Sequence, residues 1–135
     1  MPPRVNAPAR AATALLGLVL AGAGMRASAA DVRPVEEQTK IDYLIGEVKR
    51  SPATFLRNGR EHTGSRAASH LTRKLRFAGR RVRTVRDFIV GIASRSEESG
   101  KPYEIRLPDG RRQRLGDWLT ARLAAYEKEH PPLSR

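Results

Sequence analysis

The chain has no cysteine, few aromatic residues and no apolar run long enough to cross a bilayer. The missing thiols exclude disulfide staples, thiol redox chemistry and thiolate metal sites, so packing and hydrogen bonds must hold the fold together. Aromatic residues make up 5% of the chain, and Phe77 alone interrupts its most basic stretch, which leaves little for bases to stack on and ranks nucleic acid lowest among specific partners. The longest apolar segment, Ala11 to Gly24, is about 14 residues, whereas a spanning helix needs about 20. Acidic residues are absent between Glu61 and Asp87. The three histidines lack the spacing of a zinc site, and no cofactor motif is present, so neither a metal nor a cofactor is expected.

What is present first is an export signal. Arg4 and Arg10 form a positive start, Leu15 to Leu20 lies at the centre of the short apolar segment, and Ala27-Ser28-Ala29-Ala30 supplies the small residues of a cleavage site. Residues 1–30 are therefore expected to be a signal peptide, cut after Ala29 or Ala30, and residues 31–135 one periplasmic or secreted domain with no transmembrane helix. Arg4 and Arg10 stand too far apart for a twin-arginine signal.

The second feature is charge. The whole chain is +12, and without Arg4, Arg10 and Arg26 the domain remains +9. Arg73, Lys74, Arg76, Arg80, Arg81, Arg83 and Arg86 form its densest part. Such a field attracts phosphate, lipid head groups or acidic polymers. The plainer alternative is a solvated face in an arginine-favouring protein, since arginine outnumbers lysine 21 to 5.

Pattern gives the order α, ββ, α, α, ββ, α, a small single α+β domain of about four helices packed on short antiparallel β-hairpins. Pro34 suits a helix start, and a helix is predicted from about Val35 to Arg50, with Ile41, Leu44, Ile45 and Val48 as its apolar stripe and Ser51-Pro52 as its stop. Asn58-Gly59 predicts a type I′ hairpin with Phe55 opposite His62. A second helix starts at Gly64-Ser65 with Ser65 as N-cap, buries Ala67, Leu71, Leu75 and Ala78, and ends at Gly79. Thr84 and Asp87 suggest a capping box for a third helix with core residues Val85, Phe88, Ile89 and Ile92. After a polar connector from Ala93 to Pro102, Tyr103 to Leu107 and Arg111 to Leu115 form a second hairpin. A helix from about Asp117 to Lys128 closes the chain, with Trp118, Leu119, Leu123 and Tyr126 at or near the core.

Four motifs carry a resemblance: Phe55-x-Arg57-Asn58-Gly59, Ala67-x-x-His70-Leu71-x-x-Lys74, Thr84-x-x-x-Phe88-Ile89 and Ala93-Ser94-x-Ser96-x-x-x-Gly100-Lys101-Pro102-Tyr103. With this spacing the chain resembles the YfeK-like family of exported bacterial proteins, grouped as a domain of unknown function. The resemblance implies a periplasmic or secreted single domain and no assigned reaction. Where some relatives carry Cys near the hairpin this chain has none, and where relatives often carry an acid before the Ala-x-x-His-Leu segment it has Arg66.

The polar members of these motifs are the candidate binding residues: Arg57, Asn58, His70, Lys74, Ser94, Ser96, Lys101 and Tyr103. Arg57 offers a planar fork of donors, His70 and Lys74 stand one helical turn apart, and a serine loop ending in Gly100-Lys101 can cradle an oxyanion. The favoured reading is a small binding or interaction protein for an anionic ligand. One alternative is a hydrolase with His70 as base, a nucleophile from the Ser94 to Ser99 loop and Asp87 as orienting acid. Another is a structural envelope protein docking through its basic face on an acidic partner or anionic lipid. Each residue also has an ordinary structural explanation: a β-turn for Asn58-Gly59, a partly buried helix histidine for His70, and self-bonded connector serines.

Overall fold

The computed structural model describes Pro3 and residues 32–134, so the expected signal peptide lies, but for Pro3, outside the described residues. Helix α1 spans Val35–Arg50 with Glu36 and Glu37 in its first turn and Lys49 and Arg50 in its last, each end matching the helix dipole. Pro34 is its N-cap, and the extended Ser51 stops it. Strands β1 (Thr54–Arg57) and β2 (Arg60–His62) follow, joined by Asn58 at φ 50° and Gly59 at φ 74°. Those two left-handed residues make the I′ turn, and Phe55 does pair with His62.

Helix α2 spans Gly64–Ala78 and departs from expectation at its start. Thr63, not Ser65, is the N-cap, its hydroxyl accepting from the Arg66 amide. The cause is a close approach: a Cβ on Gly64 would run into the carbonyl oxygen of Val48 at the end of α1. That contact sets the phase of the helix, so Ala68 is buried with Leu71 and Leu75, while Ala67 and Ala78 are half-buried. Gly79, at φ 54°, ends α2 and opens a short 3-10 turn, Gly79–Arg81.

Helix α3 (Val85–Phe88) carries the expected capping box between Thr84 and Asp87, then widens into a π turn, Ile89–Ala93. Ser94 Oγ donates to the Ile89 carbonyl at 2.6 Å, giving that oxygen a local partner. Strands β3 (Glu104–Arg106) and β4 (Arg112–Arg114) form the second hairpin, and α4 (Leu115–Glu129) starts two residues earlier than its pattern suggests.

The two hairpins are joined. β1 pairs antiparallel with β3, Phe55 opposite Ile105, giving one four-stranded sheet in the order β2-β1-β3-β4. The pairing is between residues about fifty apart in sequence and leaves no local trace. On one sheet face Phe55 and Ile105 join a single core with Ile41, Leu44, Leu71, Phe88 and Leu119; on the other, Arg106 and Glu61 form an ion pair at 2.6 Å. Trp118 meets Phe55 edge-on, and Tyr126 packs on Tyr43 at the core's margin. No described helix is long and apolar enough to cross a membrane.

Candidate functional site

Strand alternation sends Phe55 and Arg57 to the same side of the sheet, and His62, opposite Phe55, shares it. Across from them α2 presents Arg66, His70, Arg73, Lys74 and Phe77, residues recurring at three- and four-residue steps on one helix face. Between the two lies a cleft of about 570 Å³. Phe55, Leu71 and Leu115 supply apolar lining; Arg57, Arg66, Arg73, Lys74 and Arg81 supply positive charge, against the carboxylates of Glu97 and Glu104.

The inner wall is a hydrogen-bonded array. The Lys74 ammonium donates to the carbonyls of Ile92 at 2.8 Å and Arg95 at 3.2 Å and to the Tyr103 hydroxyl at 3.3 Å. Its three protons are thereby occupied, and two of them serve carbonyls, one within the π turn and one two residues beyond it. Tyr103 Oη lies 3.2 Å from His70 Nε2, and Arg57 Nη1 lies 3.0 Å from His70 Nε2 and 3.2 Å from Nδ1. A neutral imidazole has one acceptor nitrogen, so only one of the two Arg57 contacts is a hydrogen bond. The other is the close approach of the guanidinium to the ring.

Burial, then the neighbouring Arg57, Lys74, Arg73 and His62, push the His70 pKa down to about 4, so the ring is neutral at pH 7. Burial likewise lowers Lys74 and raises the Tyr103 phenol, and it lowers His62 together with the nearby arginines. His62 Nε2 is buried and has no hydrogen-bond partner among the described residues. The arrangement offers a neutral imidazole, a buried hydroxyl and several cations around an apolar floor. It suits holding an anion and does not provide a strong base.

Of the eight expected site residues, Arg57, His70, Lys74 and Tyr103 meet in this cleft. Asn58, Ser94, Ser96 and Lys101 do not line it. Asn58 Nδ2 donates to the hydroxyl of the buried Ser96 at 3.2 Å, and Ser99 donates to Asn58 Oδ1, so the hairpin tip is latched to the serine loop. Ser94 is bonded to Ile89, and Lys101 is exposed. Among the described residues no serine of the loop hydrogen-bonds His70, and Asp87 accepts from the amides of Arg83 and Thr84. The elements of a hydrolytic triad are thus apart. No group of three or more His, Asp or Glu among the described residues could hold a metal ion.

Arg66, Arg73, Phe77 and Arg81 are lining residues that motif reading passed over. For Arg66, Arg73 and Phe77 the sequence carries a signal, since with His70 and Lys74 they form one α-helical stripe; Arg81 lies past the end of α2 and has none. Glu97 and Leu115 had no such signal, because their proximity depends on how the connector and α4 close on α2.

A profile of the family of unknown function DUF5329 matches residues 35–127. The chain is 37% identical over 68 residues to the uncharacterized protein YfeK of Salmonella typhimurium. That match covers 50% of this chain and 57% of the relative, little more than half its length. No solved structure matches the chain. With its sheet, all but the last two residues of its four α-helices and every lining residue of its cleft inside the matched segment, the chain belongs to the DUF5329 family of unknown function.

Proposed function

We propose that this protein is an exported binding module whose cleft between α2 and β1 holds a small ligand with a carboxylate or phosphate group and an apolar body. The observation that carries the reading is the α2 stripe itself: Arg66 and Arg73 face the same cleft as Phe55, Leu71 and Leu115, and Lys74, its protons engaged within the fold, adds charge to the wall. Apolar lining with a few convergent polar groups is the usual composition of a small-molecule site. Arginine forks match phosphate and carboxylate oxygens, and His70, neutral at pH 7, adds a hydrogen bond without needing a counterion. Export is carried by the N-terminal signal pattern, and binding in the periplasm or outside the cell follows from it.

The test is calorimetric titration of the protein with octyl phosphate, inorganic phosphate and glucuronate, repeated with Arg73→Gln. Octyl phosphate is expected to bind more tightly than inorganic phosphate, because only it fills the apolar floor, and to weaken about tenfold in the variant through loss of a charge-assisted contact. Equal affinities for the wild type and Arg73→Gln, or no heat with any of the three, would contradict the reading.

A further inference from the structure

We propose that the corner formed by the end of α2, the Gly79–Arg81 turn and the start of α3 docks on the surface of an anionic lipid bilayer, with Phe77 as its interfacial anchor. Phe77 is 84% exposed, although it sits beside a core that buries every other phenylalanine. Arg73 lies one helical turn before it and Arg81, past the end of α2, shares the cleft rim with it; Arg76, Arg80, Arg83 and Arg86, all exposed, continue the charge along the end of α2, the turn and the start of α3. Among the described residues none of these arginines has a carboxylate within ion-pair distance. Of the acids nearby, Asp87 accepts from the Arg83 and Thr84 amides and Glu37 accepts from the Val85 amide at 2.7 Å, while Glu97, which lines the cleft with Arg73 and Arg81, forms no ion pair with either. Arg33 adds a further cation, donating to the Val82 carbonyl at 2.8 Å.

Charge complementarity and the small apolar area together select the partner. A protein interface needs an apolar core wider than one ring, whereas a bilayer surface accepts a single aromatic side chain at head-group depth while arginines meet lipid phosphates. The surface meets the mouth of the cleft at Arg73, Phe77 and Arg81, whereas Arg76, Arg80, Arg83 and Arg86 lie outside the cleft lining, so substitutions at those four test the surface apart from the cleft.

The test is co-sedimentation of protein, purified after expression of the full chain, with vesicles of phosphatidylcholine alone or of equimolar phosphatidylglycerol and phosphatidylcholine. Binding is expected only to the mixed vesicles, and to fall steeply as salt rises to about 0.15 M. The R76E/R80E/R83E variant is expected to bind tenfold or more weakly, and Phe77→Ala several-fold more weakly. The control R106E/R111E/R112E changes net charge equally on the far side and should retain most of the binding. All substituted residues are at least partly exposed, and circular dichroism of each variant reports its fold. Equal binding to neutral vesicles, equal loss in the control, or binding to polyglutamate but not to vesicles would overturn the proposal, the last result indicating an acidic protein instead.

Discussion

Two regions of the surface differ in how often arginine finds an ion pair. On the sheet and along α1 and α4 several cations are paired within the fold: Arg106 with Glu61, Arg111 with Asp109, Arg112 with Glu104, Arg50 and Arg122 with Glu47, and Lys40 with three glutamates, while Arg57, Arg60, Arg114, Lys49 and Lys128 form no ion pair among the described residues. From Arg66 to Arg86 no arginine is paired among the described residues. Where a cation of this second region turns inward, as Lys74 does, it bonds neutral carbonyls and a hydroxyl. The first region is partly compensated within the fold; the arginines of the second have no ion pair among the described residues. The inward cation, Lys74, holds the structure together, and the outward arginines are the ones the proposed binding surfaces would use.

Lys74→Met should break the second region most severely. It leaves the Ile92 and Arg95 carbonyls without their donor and is expected to cost about 2–3 kcal/mol. Calorimetry should show a Tm lowered by about 10 °C or more, whereas Arg111→Gln in the first region should cost under about 1 kcal/mol. Equal losses would erase the distinction between the regions.

Acid should act next on the inward face. The native His70 pKa, about 4, lies below the unfolded value of 6.5, so the unfolded chain binds more protons between those pH values. The stabilisation from a neutral His70 is complete above pH 6.5 and is lost as pH falls toward 4. Solvent screening at this partly exposed ring reduces it to about 1–2 kcal/mol. His62, lowered as well, contributes with the same sign. His70→Gln should therefore flatten the fall in Tm across this window relative to the wild type. An unchanged slope would show that His70 titrates in the native state as it does in the unfolded chain.

The smallest effect belongs to the outward arginines. Replacing Arg76, Arg80 and Arg83 together with Gln should change stability by no more than about 0.5 kcal/mol, or raise it slightly by relieving repulsion. A loss above about 1 kcal/mol in urea unfolding would mean that these residues are paired within the fold.

The same contrast marks what could be read from sequence. Local chemistry was legible: the acids and bases at the ends of α1, Asn58-Gly59 in the hairpin and Thr84 with Asp87 at the start of α3 each act over a few residues. The α+β class and the register of Phe55 against His62 followed from them. The joining of the hairpins through Phe55 and Ile105 was not legible, nor was the cap of α2, where the approach of Gly64 to Val48 favours Thr63 over Ser65. At the candidate site, Arg57, His70, Lys74 and Tyr103 converge. Asn58, Ser94 and Ser96 look equally polar in sequence, but the fold uses their side chains for internal bonds. Residue type alone cannot distinguish a side chain bonded internally from one open to a ligand.

Nuclear magnetic resonance titration of the His70 ring, with and without octyl phosphate, tests the central claim most directly. The free protein should show a pKa near 4, and the bound anion should offset Arg57, Arg73 and Lys74 and move that value upward. A His70 that titrates near 6.5, with a value unaffected by octyl phosphate, would contradict both the neutral imidazole and the anion-binding cleft built around it.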